Sequence, residues 1–168
     1  MLIIGSPGAG KSTLAAEVAR RTGLPLIHLD RHYWKPGWIE PDKAQWSETV
    51  GRLIAGRLWV MDGNYGGTMP ARLARADTVI LLDLPPWRCV ARILLRALRL
   101  RGTVRADMAP ECPERMSSEF LAYTARFRRG SGRSVEARLA GFGGTLIRLR
   151  SPGQVRRFLA SLKPAPRG

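Results

Sequence analysis

The sequence predicts an α/β chain built on a five-stranded parallel sheet with helices on both faces, and three observations carry that expectation. A glycine-rich loop, Gly5-Ser6-Pro7-Gly8-Ala9-Gly10-Lys11-Ser12, follows a short apolar run and opens a helical pattern. Further short apolar runs recur at 26–29, 58–61, 79–84 and 145–149, with helical periodicity between them. Buried parallel strands read as such runs because helices cover the sheet on both sides. Carboxylates stand at the ends of two of these runs, Asp30 after the second and Asp62 after the third. In an open parallel sheet that edge is where ligands bind.

Taken in order, the first strand covers 1–4 and the first helix 11–21, which Gly23 and Pro25 terminate. After the second strand, Pro41 leads into a helix over 42–55. A short helix is expected over 68–76 and a longer one over 86–100, either side of the fourth strand. The pattern fails between 102 and 113, where a glycine, two prolines and mixed charge occur together. Helices over 114–129 and about 135–140 follow. Gly143-Gly144 introduces the last strand, and Pro152 opens a terminal helix. The whole span 1–168 reads as one domain, since nothing in it resembles a linker.

Composition bounds the function. No apolar run approaches a membrane span, and the chain opens on a core strand, so the expectation is a cytoplasmic protein with no leader and no membrane partner. A monomer is the default. Cys89 and Cys112 lack metal or redox spacing and read as a buried helix thiol and a loop thiol. The formal charge is +15, and of 28 basic residues four are lysines and 24 arginines. Three explanations compete: a nucleic-acid surface, an arginine-lined phosphate site, and a coding bias toward arginine.

The loop carries the clearest chemistry. Its backbone N–H groups, together with the start of the following helix, form a phosphate cradle. Lys11 is placed to reach the outer phosphates and Ser12 to ligate Mg²⁺, so the motif implies a bound nucleoside triphosphate. Asp62 is the candidate to help hold Mg²⁺, or else a turn cap. Asp30 either takes the proton of an attacking hydroxyl or caps the next turn. The stretch Arg31-His32-Tyr33-Trp34-Lys35-Pro36-Gly37-Trp38 either closes over a substrate or is pinned to the core by its tryptophans. His28, inside the second strand, reads as structural. Arg88, Arg92, Arg96 and Arg99 fall on one helical face, with Val90, Ile93, Leu94 and Leu98 left for packing. That face is either solvated or phosphate-binding, and Arg126, Arg128 and Arg129 form a second cluster.

With these motifs in place, the chain resembles the adenylate-kinase-like branch of P-loop kinases, a nucleoside-monophosphate-kinase-like arrangement with a short basic lid. The resemblance rests on Gly5–Thr13, on Asp62-Gly63 after the third strand and on Asp83-Leu84-Pro85 after the fourth. It implies an ATP and Mg²⁺ site that includes Thr13, triphosphate contacts from Arg92, Arg96 and Arg126, and adenine packing against Arg150, Ser151 and Pro152. It also implies an acceptor-side insert at about 31–57 and a lid region at about 99–130. Arg31, Trp34, Gly63, Asn64 and Tyr65 would then border a small-molecule phosphoryl acceptor. A narrower resemblance, to the proteins called DNA topology modulation proteins, rests on His28-Leu29-Asp30, Trp34-Lys35-Pro36-Gly37-Trp38, Asp62-Gly63-Asn64-Tyr65 and the stretch from Pro110 to Arg115. Adenylate kinases read Asp-Gly-Phe-Pro-Arg where this chain has Asn64 and Tyr65; Arg72 either supplies the missing charge or is an exposed helix residue. Two functions follow as alternatives. One is a kinase passing the γ-phosphoryl of Mg·ATP to a nucleotide or related metabolite. The other is an ATP-regulated nucleic-acid-binding protein with weak or no kinase activity.

Overall fold

A computed structural model describes residues 1–100, 102–114 and 117–162. Arg115, the last residue of one resemblance motif, lies outside the described residues, as do two further positions within the expected lid. Five strands form one sheet: β1 (Leu2–Gly5), β2 (Leu26–His28), β3 (Val60–Asp62), β4 (Thr78–Leu82) and β5 (Thr145–Leu149). All neighbours are parallel, in the order β2-β3-β1-β4-β5. The loop after central β1 therefore lies between the carboxyl ends of β3 and β4.

The helices are α1 (Lys11–Thr22), α2 (Leu29–Tyr33), α3 (Lys43–Ile54), α4 (Met69–Arg75), α5 (Pro86–Arg99), α6 (Ser118–Arg126), α7 (Ser131–Leu139) and α8 (Pro152–Ser161). Strand alternation sorts the core onto the two faces. Leu2, Ile4, Met61, Val79 and Leu81 pack with Trp46, Val50 and Ile54 of α3, Met69 of α4, and Val135 and Leu139 of α7. Ile3, Val60, Ile80 and Leu82 face the other way, toward Leu14, Ala15 and Val18 of α1 and Cys89 of α5, with α8 covering them.

Three expectations change. The second strand ends at His28, and the chain coils at once into α2, closed by the Trp34 amide bonding the Asp30 carbonyl at 3.2 Å. The helix expected over 114–129 is shorter: it begins at Ser118 and tightens at its end into a 3₁₀ turn, Phe127–Arg129. Glu114 is instead a loop residue whose buried carboxylate binds arginines. The third change concerns α5, which buries Cys89, Ile93 and Ala97, whereas Leu94, Leu95 and Leu98 lie 37%, 52% and 77% exposed. The helix is thus rotated from the expected packing face, which turns Arg92 toward the glycine-rich loop.

Candidate functional site

The loop leaves β1 in the middle of the sheet and wraps back into α1. Gly8 is indispensable to that path. Its φ is +73°, and a Cβ there would sit 2.4 Å from the Cys89 carbonyl oxygen, so the loop rests directly on α5. Within the loop the Ala9 amide bonds the Ser6 carbonyl at 3.1 Å, and the Lys11 ammonium donates to that carbonyl at 3.2 Å. Burial lowers the Lys11 pKa below the ordinary lysine value, while the carboxylates of Asp30 and Asp62 pull it back up. From α5, Arg92 donates to the Ala9 carbonyl at 2.9 Å. Lys11 and Arg92 thus converge on the cradle from two sides, and Gly5, Ser6, Pro7, Gly10 and Ser12 complete it. Thr13, one position on, is exposed.

At the end of β3, buried Asp62 joins two partners. The Ser12 hydroxyl donates to Oδ2 at 2.7 Å, and His28 Nδ1 lies 2.6 Å from Oδ1. The β2–β3 register pairs His28 with Asp62, so the sheet itself sets this contact. Burial pushes the His28 pKa down, but the hydrogen bond to Asp62 and its charge outweigh that, and the imidazole pKa is raised. Ser12 and Asp62 present hard oxygen donors side by side, a pair that suits Mg²⁺. Among the described residues no group of three or more His, Cys, Asp or Glu is disposed to hold a metal. Mg²⁺ bound here would therefore also rely on phosphate oxygens and water, as it usually does.

Next to this lies a second carboxylate, Asp30. Tyr65 donates its hydroxyl to Asp30 Oδ1 at 2.5 Å, and Tyr65 is packed against Tyr33 and Trp46 at centroid distances of 4.5 and 5.1 Å. Burial raises the Asp30 pKa; the Tyr65 hydrogen bond and the Lys11 charge only partly offset it. The same burial raises the Tyr65 pKa. Asn64 makes a reciprocal pair with the loop: its amide nitrogen donates to the Gly5 carbonyl at 2.8 Å, and the Gly5 amide donates to its oxygen at 3.0 Å. Gly63 closes this turn at φ +128°, where a Cβ would meet that of Leu29 at 2.9 Å.

Arg72 requires a correction. It is neither exposed nor free to meet an acceptor charge: its side chain is fully buried, and it donates to the carbonyls of Gly63, Asn64 and Tyr65. It braces the turn from below, and burial lowers its pKa to about 10. Trp34 meets the segment expected to form the lid. It packs edge-on against Trp38 and, with it, onto Met108, Ala109 and Cys112 of the segment between α5 and α6. Arg31 is exposed on α2.

The arginines of α5 part company. Arg88 stacks over Trp87 at 4.9 Å, Arg92 meets the loop, and Arg96 donates to Glu114 at 2.9 Å. Arg105 also binds Glu114, at 3.1 Å, and lies 3.5 Å from Asp107. Arg126 and Arg128 lie in different surroundings. Arg126 lines an outer groove with Glu119, Tyr123 and Ser131, whereas Arg128 donates to the Asp83 carboxylate and carbonyl, both at 2.9 Å. Arg150 reaches the same carboxylate at 3.7 Å, the Ser151 hydroxyl caps α8, and Pro152 opens that helix. Arg105 and Asp107, which the sequence reading did not single out, thus join Glu114 in one ion-pair group, and His28, read there as structural, sits on the Asp62 carboxylate.

Comparison with known proteins agrees with this geometry. The model of the ATPase family associated with various cellular activities matches residues 1–54, from the loop strand through α3. A search of curated sequences gives no match. Solved structures of like fold include a candidate kinase from Chloroflexus aurantiacus, at 17% identity and TM-score 0.55, covering 95% of this chain and 94% of that one. A sugar kinase from Janibacter has 18% identity and TM-score 0.49, with 98% and 94% covered. Deoxyadenosine kinase from M. mycoides, solved with bound dATP, has 16% identity and TM-score 0.49, with 96% and 97% covered. The class is an α/β P-loop nucleotide-binding fold. Within it, the sheet is five-stranded and all-parallel, in the order β2-β3-β1-β4-β5.

Proposed function

We propose that this chain is a Mg²⁺-dependent phosphotransferase that passes the γ-phosphoryl group of ATP to a hydroxyl of a small acceptor. One observation carries the reading: the Ser12–Asp62 pair and the Asp30–Tyr65 pair stand on the same sheet edge, both within electrostatic reach of the loop lysine. A donor cradle and a candidate base thus share one edge of the sheet. In the reaction the acceptor oxygen bonds to the γ-phosphorus and the bond from that phosphorus to the β,γ-bridging oxygen breaks. ADP leaves with the electron pair, and the hydroxyl proton passes to Asp30. Mg²⁺, when bound, neutralises charge on the phosphates. Lys11 and Arg92 hold the triphosphate and stabilise the charge that moves in the transfer. Tyr65 occupies one Asp30 oxygen and orients the other toward the acceptor. Residues 31–38 and the 102–114 segment form the walls that limit water.

The alternative of nucleic-acid binding draws less support, because Arg92, Arg96 and Arg128 gather at the loop edge rather than forming a separate basic face. The test is ADP release from Mg·ATP with a panel of acceptors, wild type beside Lys11→Ala. Acceptor-dependent release that the variant loses supports the transferase. Unchanged release in the variant would sink it, and duplex binding that falls steeply with salt would revive the alternative.

A further inference from the structure

We infer that the acceptor is an uncharged polyhydroxyl compound, a nucleoside, sugar or polyol, and not a nucleoside monophosphate; this inference rests on the phosphotransferase reading. The argument is an account of cations. A monophosphate acceptor carries about two negative charges near neutrality, and sites that take one hold it with guanidinium groups free to pair. Among the described residues, the guanidinium groups near Asp30 other than that of Arg31 already have partners.

Arg72, the residue best placed by sequence, is fully buried and donates to three consecutive carbonyls. It cannot be recruited without releasing the turn it braces. Tyr65 sits in that turn with φ 32°, a left-handed conformation costly for an aromatic residue, and the Arg72 bond to its carbonyl at 2.8 Å helps hold it there. Arg105, whose charge acts on Asp30, is paired with Glu114 and Asp107. Arg96 shares Glu114. Lys11 and Arg92 belong to the loop and would be taken by the donor phosphates.

What remains at the acceptor side is acidic. Asp30 stands half-buried at this edge, and the charges of Asp30, Asp62 and Asp107 are all felt at His28. Carboxylates accept hydrogen bonds from hydroxyls and repel phosphate. Asp30 with the Tyr65 hydroxyl suits a vicinal diol, one hydroxyl donating to the carboxylate and the next meeting the phenol. Arg31 is the one nearby arginine described as exposed beside Asp30, and it is the residue through which an anionic acceptor would have to be held.

The experiment compares matched acceptors: adenosine with AMP, cytidine with CMP, and glucose with glucose 6-phosphate. ADP release is measured first. Binding of each compound beside a non-hydrolysable ATP analogue is then measured by calorimetry. The expected result is stimulation by the uncharged member of a pair, with kcat/KM at least tenfold above its phosphorylated partner. Asp30→Asn should lower that value about 100-fold, the range of a lost general base. Stimulation by the phosphorylated members, abolished by Arg31→Ala, overturns the inference and leaves the phosphotransferase standing. If neither member is turned over, the phosphotransferase reading fails and the inference falls with it. Where turnover is seen, calorimetry reads the inference separately: tighter binding of the uncharged member upholds it, and tighter binding of the phosphorylated one overturns it.

Discussion

The Tyr65 hydroxyl and the Asp30 carboxylate meet at 2.5 Å, although 35 positions separate them in the chain. Neither partner is placed by its own loop alone. Asp30 comes from the short helix that β2 runs into, and Tyr65 from a strained turn after β3 that Arg72 braces from within the core. The pair links a buried acid to a group that favours its ionised form.

That link has a pH signature. Burial raises the Asp30 pKa above its ordinary value of 3.8, so the acid limb of kcat/KM is expected above the usual aspartate range. A base must be ionised to act, so the rate should rise with pH through this limb. Removing the Tyr65 hydrogen bond removes a contact that favours the ionised form. Tyr65→Phe should therefore move the limb to still higher pH, and Asp30→Asn should abolish it. A limb that stays in place in Tyr65→Phe would separate Asp30 from the proton transfer.

Asp62→Asn should weaken Mg²⁺ activation by about 10- to 100-fold, the usual cost of losing a group that orients a metal ion. Binding of metal-free ATP should change little. Removing the imidazole in His28→Gln takes a hydrogen bond from the same carboxylate and should shift the Mg²⁺ requirement in the same direction by less. Titration of ADP release with Mg²⁺ at saturating ATP reads both effects.

Arg72→Met leaves three backbone carbonyls without their donor inside the core. We expect a loss of about 3 kcal/mol in stability, since each unsatisfied buried acceptor costs on the order of 1–3 kcal/mol. Arg72→Lys should recover little of it, because one ammonium cannot reproduce a planar fork that reaches three acceptors. Urea unfolding measures both variants, and wild-type stability in Arg72→Lys would refute the bracing role.

Gly8→Ala places a methyl group 2.4 Å from the Cys89 carbonyl at φ +73°. The loop must then lift off α5, and affinity for an ATP analogue should fall at least tenfold. Gly67→Ala, where an added Cβ meets open space, serves as the control and should bind as wild type does. Fluorescence titration with a labelled nucleotide distinguishes the two.

Much of this architecture was legible in the chain. The loop could be read directly because its eight residues are contiguous and their spacing is the chemistry. Asp62 was found from its position after a buried run. Other features depend on register and rotation, which periodicity does not supply. His28 looks like any strand residue until the β2–β3 pairing sets it beside Asp62. Arg126 and Arg128 meet different surroundings because α6 ends in a tighter 3₁₀ turn, whose residues follow one another at a different angle from those of an α-helix. The packing face of α5 differs for a related reason: Cys89 is less apolar than the leucines, yet Gly8 of the loop lies against its carbonyl and the Ile93 side chain. Arg72 looked like a surface arginine because nothing in a local pattern announces three carbonyls waiting in the core.

The reciprocal Asn64–Gly5 pair has a mechanical consequence. Strand β3 ends at Asp62, and the Gly63 amide still bonds the Ile3 carbonyl at 3.2 Å; beyond that, the Asn64 side chain supplies the next two hydrogen bonds. An amide side chain thus stands in for a peptide group, and the ladder gains one rung past the end of its backbone. That rung works as a ruler. It fixes the span from the phosphate loop to the turn that carries Tyr65, so the gap between donor and acceptor cannot be widened by swinging either one. Room for a larger or smaller acceptor has to come from the walls around this fixed gauge.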